Sequence, residues 1–201
     1  MKNTLVLATR NTKKQKELQE LVENLGFRIL TLRDFPDCPE VVEDGNTFLE
    51  NAQKKALAVA NHTHCLALAD DSGLEVVALG GKPGVYSARY ARGEESTDDE
   101  NLQKVLKELS DIPTASRTGR FVCAAVLAME NQVLFSTRQT VEGIITTESQ
   151  GEGGFGYDPI FYYPPYGKTL AEVSSEEKHA VSHRGKAMRE VMEFLREGYS
   201  K

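Results

Sequence analysis

The chain has 201 residues, with 24 Lys and Arg against 30 Asp and Glu for a formal net charge of −6, 40% apolar residues, no Trp and three Cys. This length and apolar content suit one compact domain, or one domain in two lobes, and exclude a disordered chain; three cysteines exclude a disulfide scaffold. The acidic balance argues against a protein that lives on a nucleic-acid polymer, so any anionic ligand must meet a local cluster of cations.

Leu5-Val6-Leu7-Ala8 reads as a buried strand that enters a polar turn, Thr9 to Lys14. Leu18, Leu21, Val22 and Leu25 recur at helical spacing and predict a helix that Gly26 stops. Phe27 to Leu32 is a predicted second strand, followed by a loop over 33–46 that carries Pro36, Pro39, Glu40, Glu43 and Asp44. Thr47, with Glu50 three residues on, predicts a capped helix with Ala52, Ala56, Val59 and Ala60 on one face. Cys65 to Ala69 reads as a short strand stopped by Asp70-Asp71-Ser72-Gly73, and Leu74 to Leu79 as a separate strand before the turn-rich 80–84.

A helix around Asp99 to Leu109 shows Leu102, Val105, Leu106 and Leu109 as its stripe. Strands near 120–129 and 133–145, separated by Glu130-Asn131-Gln132, predict an antiparallel hairpin. A glycine-rich loop over 151–156 leads into Tyr157-Asp158-Pro159, and a last helix from about Ser182 buries Met188, Val191, Met192 and Leu195. Together these elements predict one α/β unit with a mixed sheet. Cys38, Cys65 and Cys123 never form a CxxC pair and read as reduced thiols. The apolar start is too short for a signal peptide, and no apolar run approaches the roughly 20 residues that span a bilayer. The expectation is a cytoplasmic protein that binds no membrane.

Three motif matches lack the context their chemistry requires. Gly151-Glu152-Gly153-Gly154-Phe155-Gly156 fits G-x-G-x-x-G letter for letter, but the dinucleotide reading needs a helix to begin there, and Pro159, Pro164 and Pro165 oppose one. Gly167-Lys168-Thr169 would need the first glycine of a P-loop where the chain has Tyr162. His62-Thr63-His64-Cys65 has no second ligand pair at zinc spacing and reads as a helix-to-strand connection.

Four clusters sit where strands stop or loops turn, the places where open α/β sheets hold ligands. The first is Thr9-Arg10-Asn11-Thr12-Lys13-Lys14, with hydroxyls, an amide and three cations. Cations at a helix start oppose the helix dipole, which makes sense if an anion binds there; the alternative is a solvated helix start. The second is Asp70-Asp71-Ser72-Gly73, whose acids can hold Mg²⁺ or take a proton from water; the alternative is a plain turn. The loop acids Glu40, Glu43 and Asp44 offer a second metal ligand or a solvated loop. In the third, Gly153 to Asp158, glycines admit a ligand to the backbone and Phe155 and Tyr157 offer a stacking face; a tight hairpin loop is the alternative. The fourth is Lys178 with His183-Arg184, donors for an oxygen on a base or phosphate, or again a solvated helix start. Lys55 and Arg89 are further isolated cations.

Six segments in order resemble a known family: Ala8-Thr9-x-Asn11-x-x-Lys14, Thr47-Phe48-x-Glu50-Asn51-Ala52, Ala69-Asp70-Asp71-Ser72-Gly73-Leu74, Gly80-Gly81-x-Pro83-Gly84-x-Tyr86-Ser87-Ala88-Arg89-Tyr90, Gly153 to Pro159, and Ser182-His183-Arg184-Gly185. They are similar to the inosine triphosphate pyrophosphatase family, which hydrolyses non-standard purine nucleoside triphosphates, over nearly the whole chain. The resemblance implies a single domain over 1–201 with an elongated mixed sheet flanked by helices, two lobes, a central cleft holding the active site, and a homodimer.

By residue, the resemblance implies that Thr9, Asn11 and Lys14 take the triphosphate within the Thr9–Lys14 turn, with Lys55 a further phosphate ligand. Asp71 would be the catalytic acid that binds Mg²⁺ and activates water, Glu43 a second acid on the metal, and Ser72 a substrate contact. Phe155, Gly156, Tyr157, Asp158, Lys178, His183 and Arg184 would form the nucleoside pocket. Lys13 stands where many relatives carry Gly, which adds a cation to that turn. The implied reaction cuts the α–β phosphate bond of ITP, dITP or XTP to give a monophosphate and pyrophosphate. Two other functions are weighed with it: a pyrophosphatase of the same fold acting on pyrimidine triphosphates, and a nucleotide-binding sensor without turnover.

Overall fold

The computed structural model describes residues 4–22 and 26–198. Seven strands form one mixed sheet in the order β2-β1-β3-β4-β5-β6-β7. Strand β1 (Thr4–Leu7) is parallel to both β2 (Arg28–Thr31) and β3 (Leu66–Val76). The neighbouring strands β4 (Thr118–Met129) and β5 (Gln132–Ile145) are joined by Glu130 and Asn131, the predicted hairpin, with Asn131 at φ 57° in its turn. Strand β6 (Phe161–Tyr163) is antiparallel to β5 and to β7 (Lys168–Thr169).

The helices fall close to their predicted places. Helix α1 (Thr12–Val22) begins inside the polar turn rather than after it, because the Asn11 Oδ1 accepts the backbone N–H groups of Lys13 at 3.0 Å and Lys14 at 3.1 Å. Leu25, expected on the stripe of this helix, lies outside the described residues. Helix α2 (Phe48–Thr63) starts at Thr47, whose hydroxyl accepts the Glu50 N–H at 3.1 Å, while the Glu50 carboxylate accepts the Asn46 N–H at 2.7 Å. Helix α3 (Asp98–Glu108) has a capping box at Thr97 and Glu100. Helix α4 (Ser175–Val181), which the apolar pattern does not announce, is capped by Ser174 and Glu177 before α5 (His183–Gly198) begins. No helix among the described residues is long and apolar enough to cross a membrane.

The chain divides into two compact units, one of residues 1–71, 123–139 and 184–201, the other of 72–122 and 140–183. The first unit packs Leu18 and Val22 of α1 and Met188, Val191 and Leu195 of α5 with Leu5, Leu7, Leu66, Leu68 and Leu127. The second packs Leu102, Val105 and Leu109 of α3 with Leu74, Phe121, Ile145, Tyr157 and Phe161. Cys38, Cys65 and Cys123 are buried free thiols, and burial pushes the Cys123 thiol up to about 12.

One local expectation is corrected. Asp70-Asp71-Ser72-Gly73 does not end a strand: β3 runs through all four residues to Val76. Local propensity favours a turn there, but distant partners override it. Buried Asp70 and Asp71 have cations beside them, and Gly73 sits so close to Ser87 that an added Cβ would meet its Oγ at 2.3 Å. The Ser87 hydroxyl in turn accepts the Leu74 N–H at 2.9 Å.

The motif matches resolve as their context requires. The loop at 151–156 leads into a 3₁₀ turn, Asp158–Ile160, and then β6, not a helix. Lys168 and Thr169 form β7, and His62-Thr63-His64-Cys65 joins α2 to β3 with His64 in a left-handed conformation.

Candidate active site

Within the first unit, alternation along β3 sends the adjacent carboxylates to different partners. Asp70, fully buried, accepts Arg184 Nε at 3.1 Å and lies 3.8 Å from Lys14 Nζ. Burial alone would raise its pKa, but Lys14, Arg184 and Lys55 outweigh it and hold Asp70 ionised well below the usual carboxylate range. Arg184, 2% exposed, also donates through Nη1 to Glu17 of α1 at 2.5 Å. A guanidinium carries five donors in a fixed fork, so it can tie α1, α5 and β3 together at one point.

Asp71 behaves differently. Its Oδ2 accepts Asn51 Nδ2 at 3.0 Å, and its Oδ1 lies 3.8 Å from Lys55 Nζ. Lys55 donates to Glu43 Oε2 at 2.8 Å, so one ammonium stands between two carboxylates. Burial raises the Asp71 carboxyl above its ordinary value, with the charge of Glu43 adding to the rise against Lys14 and Lys55. Lys55 stays protonated: burial acts against its charge, and Asp71 and Glu43 more than restore it. A carboxylate held higher than usual in a cationic setting is better suited to take a proton from water than its low-lying neighbour.

The turn between β1 and α1 lies in the same unit. The Thr9 hydroxyl accepts the Asn11 N–H at 3.2 Å. Arg10 Nη2 donates to the Cys38 carbonyl at 2.7 Å, bracing the loop that carries Glu43. Thr12, Lys13 and Lys14 occupy the first turn of α1, which contains no acid. With the ammonium groups of Lys13 and Lys14 at the positive end of the helix dipole, this turn is locally cationic in a chain of net charge −6.

Within the second unit, Lys178 and Asp158 form a buried pair, Nζ to Oδ2 at 2.6 Å. The same Oδ2 accepts the Phe155 N–H at 2.8 Å, and Lys178 Nζ lies 4.7 Å from the centre of the Phe155 ring. The Gly156 N–H donates to Asp98 at 3.0 Å. Tyr157 is buried, its hydroxyl donating to the Ser87 carbonyl at 2.8 Å. His183 stacks on Phe121 at 4.8 Å between ring centres. Ser72 is half-buried on β3.

The structure thus brings together Lys14, Asp70 and Arg184; Lys55, Glu43 and Asp71; and Lys178, Asp158 and Phe155. It also shows two side chains to which sequence reasoning gives no role, Glu17 and Asn51. Asn51 carries a signal: it is a polar residue beside the small apolar face of α2. Glu17 carries only its spacing of three from Lys14.

A divalent cation suits the acidic pair. Asp71 and Glu43 are oxygen donors on either side of one ammonium, and among the described residues no group of three or more His, Cys, Asp and Glu is arranged to hold a metal ion, so the protein would offer it these two carboxylates. Mg²⁺ is commonly held by one or two carboxylates, with water and substrate phosphate supplying the rest.

The fold and site define a mixed-sheet α/β protein that sets paired carboxylates among buried cations. The model of the Ham1 family matches residues 5–194, and the chain belongs to that family. It is 52% identical over 195 residues to a dITP/XTP pyrophosphatase from Desulforamulus reducens, covering 97% of this chain and 96% of that protein. A dITP/XTP pyrophosphatase from Geobacter sulfurreducens is 49% identical over 191 residues, covering 95% and 96%. The solved structure of a HAM1 protein from Coxiella burnetii superposes with a TM-score of 0.88 at 41% identity, over 97% of this chain and 99% of that one.

Proposed function

We propose that the protein hydrolyses the α–β phosphoanhydride bond of non-standard purine nucleoside triphosphates, dITP, ITP and XTP, cleansing the nucleotide pool. The observation that carries this reading is Asp71: a buried carboxylate raised by its surroundings, held by Asn51 and flanked by Lys55 and Glu43. The names of the similar pyrophosphatases agree with it.

In this reading Asp71 takes a proton from the water that attacks phosphorus, and the bond to the pyrophosphate leaving group breaks. Monophosphate, pyrophosphate and one proton result. Thr9, Arg10, Asn11, Thr12, Lys13, Lys14 and Lys55 bind the phosphates and stabilise charge that gathers on their oxygens. Mg²⁺ held by Asp71 and Glu43 would supply further charge neutralisation. Ser72 contacts the substrate, while Phe155, Gly156, Tyr157, Asp158, Lys178, His183 and Arg184 receive the nucleoside. Donors there match the 6-oxo group of hypoxanthine and xanthine, whereas adenine presents a 6-amino donor. The two units act as one domain, and the enzyme works as a homodimer in the cytoplasm, where buried free cysteines persist without oxidation.

The test is pyrophosphate release over a panel of dITP, ITP, XTP, GTP, ATP, UTP and dTTP, with Mg²⁺ and with EDTA. Release from the first three that EDTA abolishes is the expected result. Equal rates on ATP and ITP overturn the base preference, preference for UTP and dTTP makes it a pyrimidine enzyme, and binding without release makes it a sensor. Asp71→Asn should abolish turnover far more than nucleotide binding.

A further inference from the structure

We propose that Asn51 is a positioning residue for this reaction, orienting the Asp71 carboxylate while fixing the end of the loop that carries Glu43. The inference rests on the reading of Asp71 as the group that activates water.

Asn51 is 1% exposed, on the first turn of α2, and both ends of its amide are engaged. Its Oδ1 accepts the Gly45 backbone N–H at 2.8 Å, and its Nδ2 donates to Asp71 Oδ2 at 3.0 Å. The orientation of the amide follows from the partners. A peptide N–H can only donate, so the oxygen must face Gly45 and the nitrogen must face Asp71. An aspartate in its place would satisfy the first contact but not the second, since a carboxylate brings no donor to Asp71.

Gly45 is required by the closeness of this contact. A Cβ there would meet Asn51 Oδ1 at 2.6 Å and Glu50 Cβ at 2.8 Å. The Asn46 N–H is held by Glu50 on the same helix, so the loop is fastened to α2 at two consecutive residues. Glu43 lies two residues before Gly45. One turn further along α2, at the i+4 position, Lys55 reaches both Glu43 and Asp71. One helix face therefore meets both acids: Lys55 by charge with each, and Asn51 by directed hydrogen bonds to Asp71 and to the backbone of the loop that carries Glu43. Charge attracts from any direction, whereas the amide bonds one particular oxygen of Asp71, Oδ2, and so favours one orientation of the carboxylate. A carboxylate that must meet a single water gains from such restraint.

The experiment compares Asn51→Asp, Asn51→Ala and the exchange pair Asn51→Asp/Asp71→Asn. With dITP and Mg²⁺, Asn51→Asp should lower kcat about 100-fold and change KM by less than about threefold, as expected for lost orientation rather than lost binding. Asn51→Asp should also lower the melting temperature, because two carboxylates then face each other. The exchange pair should restore it, because the amide introduced at position 71 then donates to the carboxylate introduced at position 51. Hydrogen exchange at the Gly45 amide should stay slow in Asn51→Asp, which keeps the acceptor, and become fast in Asn51→Ala.

A kcat for Asn51→Asp within about threefold of the unaltered chain overturns the proposal. So does a rise in KM at constant kcat, which would make Asn51 a binding group. If Asn51→Asp does not fold, an exchange pair that folds and protects Gly45 supports the contact, and one that is equally unstable overturns it. Failure of the unaltered chain to release pyrophosphate overturns the functional reading instead, and with it the catalytic role but not the contact read by stability and exchange.

Discussion

Asp70 and Asp71 are neighbours on one strand, yet the structure holds their pKa values apart: burial with three cations leaves Asp70 low, while burial with Glu43 leaves Asp71 high. Their replacement should therefore have opposite signatures. Asp70→Asn strips Arg184 of a carboxylate in a fully buried setting and should cost about 3–5 kcal/mol of stability. Asp71→Asn should cost much less stability and nearly all turnover. Denaturant unfolding alongside pyrophosphate release checks both halves.

The Lys178–Asp158 pair allows a similar separation. Lys178→Met leaves Asp158 buried with its ion partner removed and should destabilise by about 3–5 kcal/mol. Adding Asp158→Asn should recover much of that loss, since the amide oxygen introduced there still accepts the Phe155 N–H. Thermal unfolding of the single and double variants measures the coupling, and additive losses would contradict it.

Gly73 leaves no room for a side chain. Gly73→Ala places a Cβ 2.3 Å from Ser87 Oγ and 2.8 Å from the Gly84 carbonyl, so it should cost about 1–3 kcal/mol through overpacking. Adding Ser87→Ala removes the first clash but not the second. The double variant should remain less stable than the unaltered chain by equilibrium unfolding.

Tyr157 predicts an alkaline limb in stability. Burial, with the negative charges of neighbouring groups, raises its phenol well above the ordinary value. The unfolded chain then releases this proton near pH 10 while the folded chain keeps it. Its contribution is intact below about pH 10 and falls by up to about 1.4 kcal/mol per pH unit above it. Tyr157→Phe should flatten that limb in unfolding curves measured from pH 9 to 11, and an unchanged slope would refute the assignment.

The helix starts are legible in the sequence because their chemistry is local. Thr47 with Glu50 announces α2, and the hairpin turn at Glu130-Asn131 separates two clear apolar runs. Helix α4 escapes the apolar pattern because seven residues show no full stripe, although Ser174 and Glu177 carry its cap. Strand β3 reads as two pieces because Asp-Asp-Ser-Gly favours a turn among its immediate neighbours. Its continuity depends on Lys14, Arg184 and Ser87, up to 114 residues away. The same limit applies to the site. Acids and cations at element ends can be picked out in the chain, but which acid holds which cation cannot. Glu17 and Arg184 are 167 residues apart, and no spacing rule joins them.

Helix α1 carries Lys13 and Lys14 in a first turn that has no acid of its own, where the Asn11 cap accepts two backbone N–H groups and Asp70 of β3 lies 3.8 Å from Lys14 Nζ. A bound polyphosphate would add negative charge at this positive helix end. Ligand binding and helix stability are then thermodynamically linked: whatever free energy the anion adds to the first turn of α1 also appears in its own affinity. The substrate would complete the helix electrostatically, and local order at residues 12–14 becomes a gauge of occupancy.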